Sequence, residues 1–192
     1  MSVPAAPPAL DVTLWDGDPA RWDVFVAGAE GATFCHLAAW RQVIETVFGH
    51  ECLYAVAVGP DGGWRGVLPL VRVRSRIFGH SLVSMPFLNA GGPLGDPEAR
   101  ARLAAWAAEE ARRSGADLLE LRARTPVPGG LRVSHRKITV VLELPGTAEE
   151  LWERTFRAKL RSQVRRAERA GFEPRFGAGE AEAFYAVFAR NM

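Results

Sequence analysis

The sequence predicts an α/β (α+β) fold, a mixed and mostly antiparallel sheet flanked by helices. Three observations predict it. Short apolar or alternating runs are separated by turn residues. Two Asp-Pro pairs, Asp18-Pro19 and Asp96-Pro97, mark helix starts by cap and first-turn proline. One long stretch near the C-terminus repeats its apolar residues every three or four positions. A chain of 192 residues, 48% hydrophobic and 24% charged, has enough apolar material for one full core and part of another.

In chain order, residues 1–9, rich in Pro and Ala, read as a flexible tail, and residues 10–15 as a first strand. The helix after Asp18 presents Trp22, Phe25 and Val26 inward. A second helix is predicted over 36–48, from Leu37, Trp40, Ile44, Val47 and Phe48, with Gly49 closing it. Residues 52–58 and 64–73 form a hairpin around the Pro60, Asp61, Gly62 and Gly63 turn. A fourth strand over 81–87 enters the loop LNAGGPLGD, and a third helix runs from Asp96 to Gly115. Strands are predicted at 117–121 and at 137–144, where Ile138, Val140, Leu142 and Leu144 alternate. Pro145 and Gly146 end the first domain, 10–146.

Residues 147–171 then predict one continuous amphipathic helix. Trp152, Phe156, Leu160, Val164 and Ala167 make one buried face, and seven cations share the rest: Arg154, Arg157, Lys159, Arg161, Arg165, Arg166 and Arg169. Thr147 and Glu150 form a capping box, and Gly171 supplies the left-handed exit. A strand at 172–176 and an amphipathic helix carrying Phe184, Val187 and Phe188 follow. The stretch 147–192 therefore reads as the opening of a second domain, with the remainder missing and an apolar edge left uncovered.

The net charge of +2 is small, and its excess falls in residues 147–192. No apolar run is long enough to span a membrane and no export signal opens the chain, which predicts a cytoplasmic protein. Two cysteines, Cys35 and Cys52, predict no structural disulfide. Paired with His36 and His50 they lack metal-ligand spacing, so no metal site is expected. Glu120, at a strand end, is a candidate general base with a solvated carboxylate as the plain alternative.

The runs ATFCHLAAWRQVIETVFGHE, GVLPL, SLVSMPFLNAGG and KLRSQVRRAERAGFE resemble the FemAB-like proteins of the GNAT acyltransferase superfamily, in particular the subgroup associated with PEP-CTERM and exosortase loci. The resemblance implies two tandem GNAT-like domains, the first complete at 10–146 and the second begun at 147–192. It also implies acyl or aminoacyl transfer to an amine of a cell-envelope precursor, with aminoacyl-tRNA or acyl-CoA as donor. A fragment of this length is expected to be inactive alone.

Such transfer needs an oriented amine, a positioned carbonyl and stabilisation of the developing oxyanion, and no metal. No catalytic residue is assigned from the sequence. A coenzyme A loop would offer cations beside its glycines, but no Arg or Lys lies between Ile77 and Glu98, and Asp96 sits where a phosphate would bind. No cofactor is therefore expected in this stretch. Ser84, Phe87, Asn89, Gly91 and Gly92 are candidates for a substrate-facing loop, with a structural glycine turn as the alternative. For Lys159, Arg161 and Arg165 the resemblance implies an interdomain phosphate site; Lys159 and Arg166 border the apolar face of the helix, and Arg161 and Arg165 share a side at i, i+4 spacing. A nucleotide-linked envelope precursor is the expected partner, with tRNA as an alternative. Two competing classes remain: a non-catalytic module whose basic helix binds RNA or an acidic partner, and a coenzyme A-dependent GNAT N-acyltransferase.

Overall fold

The computed structural model describes residues 10–15, 17–75, 77, 79–135 and 138–192, so the predicted tail at 1–9 lies outside the described residues. The chain divides into two compact units, Met1–Thr139 and Val140–Met192. The domain boundary expected after residue 146 falls inside the second unit.

The first unit is built on one sheet: β1 (Asp11–Leu14), β2 (Glu51–Val58), β3 (Trp64–Ser75), β4 (Gly79–Ser84), β5 (Leu94–Gly95) and β6 (Leu118–Glu120). The order is β1-β2-β3-β4-β6, with β5 paired to β3 off that path. All pairings are antiparallel except β4 with β6. Three helices accompany it, α1 (Pro19–Gly28), α2 (Ala39–Val47) and α3 (Pro97–Ser114). This is the mixed, mostly antiparallel sheet with helices that the pattern predicts.

Strand alternation divides the core between two faces. Leu53, Ala55 and Ala57 of β2, Leu68 and Leu70 of β3 and Leu82 of β4 pack with Ala99, Leu103, Ala107 and Ala111 of α3. The alanines bring helix and sheet close: a Cβ on Gly66 would lie 2.8 Å from the Ala99 Cβ. Beyond this contact Arg72 of β3 is paired with the buried Glu110 of α3 at 2.6 Å. The other face of the sheet holds Tyr54, Val56, Val67 and Val71 against Trp22 and Val26 of α1 and Ile44 of α2. Trp22 lies 5.0 Å from both Trp15 and Tyr54, ring centroid to ring centroid.

Both Asp-Pro starts form as predicted. Asp18 accepts from the amides of Ala20 and Arg21, and Asp96 accepts from Ala99. Gly115 closes α3 in the left-handed conformation, φ 66°. The helix predicted over 36–48 is shorter. A 3₁₀ turn at Phe34–His36 precedes α2, and Leu37 is extended between them. The cause is tertiary: the His36 carbonyl accepts from Trp22 Nε1 at 2.7 Å, and Asp23 of α1 caps the Ala38 amide at 2.8 Å. Those contacts displace the first turn that local periodicity favours.

The strand predicted at 137–144 does not form. Residues 138–144 are unpaired, with Ile138 87% and Val140 86% exposed, and Lys137 lies outside the described residues. Residues 172–176 are likewise not a strand. Alternation supplies the residue pattern for pairing but not a neighbour with free backbone groups.

The second unit contains α4 (Ala148–Glu150), a π-helical turn at Leu151–Thr155, α5 (Ala158–Arg169) and α6 (Ala181–Asn191). The single helix predicted over 147–171 is thus broken. Phe156 and Arg157 are extended, with ψ 124° and 153°. The ends behave as expected in part. Thr147 accepts from the Glu150 amide, but the Glu150 carboxylate turns to Arg154 at 3.1 Å, so the reciprocal half of the capping box is absent. Gly171, φ 74°, ends α5 while the Phe172 amide reaches back to the Ala167 carbonyl, as in a Schellman motif. No residue of α5 is buried. Among the described residues no helix is long and apolar enough to cross a membrane.

Candidate functional site

The most constrained irregular backbone of the first unit follows β4. This strand pairs with β3 as far as Leu70, and β5 returns to the same edge of β3 at Val67 and Gly66. Residues 85–93 leave the sheet between those points. β4 stops at Ser84, short of the predicted Phe87, because Met85 and Phe87 have positive φ, 53° and 69°. Bulky side chains are rare in that region, and such backbone persists only where its surroundings fix it.

Arg122, just past β6, supplies most of that fixing. Its amide donates to Ser84 Oγ at 2.7 Å, and its Nη1 donates to the carbonyls of Leu88 at 2.7 Å and Met85 at 3.3 Å. Its Nε pairs with Glu120 at 2.9 Å. Its own carbonyl accepts from the amides of Gly91 and Gly92, at 3.1 and 3.0 Å. Glycine is required at both positions. A Cβ on Gly91, whose φ is 154°, would lie 2.6 Å from the Met85 Cβ, and one on Gly92 would lie 2.7 Å from the Ala123 Cα.

His36 holds the same loop from the opposite side. Its Nε2 donates to the Gly92 carbonyl at 3.1 Å, and its Nδ1 accepts from the Thr33 amide at 3.1 Å. That pair of partners assigns the neutral Nε2–H tautomer. Burial pushes the imidazole below its ordinary pKa, against the smaller opposing effects of the Gly92 carbonyl and of the Thr33 carbonyl 3.4 Å from Nδ1, both of which favour the charged ring. His36 is therefore a neutral structural donor at neutral pH.

The clamped loop forms one wall of a cleft of about 340 Å³, which His36, Gly92, Arg122, Glu30, Arg100 and Arg124 help to line. That volume is within the range of small-molecule sites. Arg100 is anchored, its Nη2 donating to Thr125 Oγ1 at 2.7 Å and to the Pro126 carbonyl at 2.8 Å. Glu30 and Arg124 are exposed and make no ion pair among the described residues. Among the described residues the cleft thus offers a ligand the Arg124 guanidinium and the Glu30 carboxylate without ion-pair partners, with Arg100 held by neutral acceptors, and backbone polar groups in fixed positions. Beside it, Asp96 is occupied twice, by the Ala99 amide and by Arg65 at 2.7 Å. Burial is the largest single influence on its pKa and raises it, but the hydrogen bonds from Ala99 and Arg65 and the Arg65 charge together outweigh this and hold it below the ordinary carboxylate value.

The sequence candidates take different places. Ser84 is buried and accepts from Arg122, so its hydroxyl holds backbone. Phe87 is 59% exposed and stacks on Phe48 with centroids 4.3 Å apart. Asn89 is exposed on the loop, and Gly91 and Gly92 are its contact with Arg122. Lys159, Arg161, Arg165 and Arg166 all belong to the second unit. There Arg161 Nη1 donates to three carbonyls, Trp152 and Glu153 at 3.1 Å and Phe156 at 2.9 Å. Arg165 lies over the Trp152 ring at 5.4 Å. Lys159 and Arg166 are exposed and form no ion pair among the described residues.

Glu120 is engaged by Arg122, and the Cys52 thiol is pushed up to about 12 by burial and by Glu45, with Arg41 opposing. Among the described residues no group of three or more His, Cys, Asp or Glu could hold a metal. Sequence reasoning missed Arg122, Arg100 and Arg124, because it searched for cations only next to the glycines. The usable signal was the LRART run beginning at Leu121, immediately past a strand end, where sites in sheets with parallel strands tend to form. No protein-family model matches the chain, and no curated protein matches its sequence at a significant level.

Proposed function

We propose that the protein serves as an acyl or aminoacyl transferase of the FemAB-like kind, acting on an amine of a cell-envelope precursor, and that the first unit holds the acceptor. The observation that carries this reading is the cleft whose wall is the clamped loop 85–93. A transfer reaction draws most of its rate from orientation, and the loop presents fixed backbone next to Arg124 and Glu30, which have no ion-pair partner among the described residues. In this reading Arg124 meets an anionic part of the acceptor, and Glu30 meets its amine or a hydroxyl. The acceptor nitrogen forms the new bond to the carbonyl carbon, the donor's ester or thioester bond breaks, and the amine loses a proton to a base. The resemblance of SLVSMPFLNAGG and KLRSQVRRAERAGFE to FemAB-like sequences supports the same reading.

The test is transfer of a labelled acyl group by the full protein to nucleotide-linked envelope precursors, from aminoacyl-tRNA and from acyl-CoA. Arg124→Ala is expected to raise KM about tenfold with little change in kcat, the signature of lost ground-state binding. Absence of transfer from both donors, together with no binding of any precursor, overturns the reading.

A second reading has its own observation. Lys159 and Arg166 are exposed on α5 without ion pairs among the described residues, as a docking site for RNA would need. It requires steeply salt-dependent RNA binding that weakens when both are replaced by alanine. Unchanged binding in that double variant excludes it.

A further inference from the structure

The break at Phe156 and Arg157 coincides with no helix-breaking residue. Residues 147–171 contain neither proline nor glycine before Gly171, and Trp152, Phe156, Leu160 and Val164 continue one helical face across the break. The carbonyls of Trp152, Glu153 and Phe156 would, in an unbroken α-helix, accept from the amides of Phe156, Arg157 and Leu160. In the structure the Phe156 amide bonds instead to the Leu151 carbonyl at 3.0 Å, one residue further back, which makes the π turn. Arg161 Nη1 fills the vacated acceptors. Arg165, over Trp152, adds a second contact between α5 and the same turn.

We propose that residues 148–169 form a two-state element latched by Arg161. Latched, the guanidinium caps the π turn and the chain is broken at Phe156. Released, the three carbonyls recover their amide donors and the segment becomes the continuous helix its sequence encodes. The trigger is an oxyanion, a phosphate or diphosphate group. It competes for the guanidinium because charge-assisted, bidentate pairing with phosphate is stronger than donation from one nitrogen to neutral carbonyls. The neighbouring Lys159, Arg165 and Arg166 attract the same anion. Release changes the direction in which Phe156 and Trp152 project relative to α5. This device does not depend on the transferase reading, because its readout is backbone conformation and not activity.

The experiment is backbone NMR on the full chain, following Cα shifts and amide exchange at Phe156 and Arg157. In the wild type both residues are expected to show extended shifts, with fast exchange at Arg157. Arg161→Ala is expected to move both to helical shifts and to slow Arg157 exchange at least about tenfold. Arg161→Lys, which keeps charge but not the planar fork, should fall between the two. Pyrophosphate added to the wild type at constant ionic strength should reproduce the Arg161→Ala shifts, and should change nothing in Arg161→Ala. The proposal is overturned if Phe156 and Arg157 stay extended in Arg161→Ala, if the segment loses helical shifts throughout, or if pyrophosphate leaves the wild-type shifts in place.

Discussion

Arg122 and Arg161 perform the same act in two settings. Each turns its Nη1 onto main-chain carbonyls and so holds a backbone that departs from regular α-helix and strand. Arg122 reaches carbonyls 34 and 37 residues away, and its own amide and carbonyl are also bonded to the β4 end and the loop. Arg161 reaches only five to nine residues back along a partly exposed segment. The first clamp is therefore part of the fold, because it joins two neighbouring strand ends in the sheet, and it cannot let go without losing long-range contacts. The second competes with a local helix and can be exchanged for it. A hydrogen bond of given geometry contributes to stability according to what replaces it when it breaks.

Breaking the first clamp gives the largest effect. Arg122→Ala removes the cation that satisfies Met85 and Leu88 and leaves Glu120 without its partner. A loss of about 3 kcal/mol is expected in urea unfolding of the whole chain, followed on the first unit's aromatic signals. A loss under about 1 kcal/mol would mean that the strained loop is held by packing alone.

Gly92→Ala tests the close approach that the clamp enforces. The added Cβ meets Ala123 backbone and not a movable side-chain end, so about 2 kcal/mol of destabilisation is expected in the same measurement. An unchanged unfolding midpoint would show that the loop yields easily and that Arg122 does not hold it rigidly.

The histidine on the other side of the loop gives a pH signature. The folded His36 has a lowered pKa, so its contribution is fully present above the unfolded value of about 6.5 and is lost as pH falls through the folded pKa. In that window the unfolded chain takes up a proton that the buried ring refuses. Unfolding midpoints compared at about pH 7.5 and pH 5.5 should fall less in His36→Gln, which keeps a donor for Gly92 and does not titrate. An equal fall in both proteins would assign the pH dependence to other groups.

The smallest change belongs to the second clamp. Arg161→Ala should alter overall unfolding by less than about 1 kcal/mol, since released carbonyls regain helical amides or water. A loss as large as that of Arg122→Ala would erase the distinction between the two arginines.

Much of the first unit was legible in the residues themselves. Asp18-Pro19 and Asp96-Pro97 encode their helix starts locally, Gly115 encodes an end, and alternation in 52–58 and 64–73 marks a central hairpin. The glycine loop was also identified as a candidate site from its composition and position. Its cations were not, because Arg100, Arg122 and Arg124 come from other elements and no spacing in sequence announces them.

Sequence alone determined which stretches could be helix or strand, since propensity, capping and periodicity act within a few residues. Tertiary structure decided which of those options survived. Residues 138–144 have the pattern of a strand and no partner, residue 37 is extended because Trp22 and Asp23 take the neighbouring backbone groups, and 147–171 is a helix interrupted where an arginine side chain replaces its amides. In the last two cases the deciding contact is a side-chain hydrogen bond to a backbone group, and in the first it is the lack of a pairing strand among the described residues. A backbone group accepts the partner that reaches it in space, and the one-dimensional pattern states only which partner is nearest along the chain.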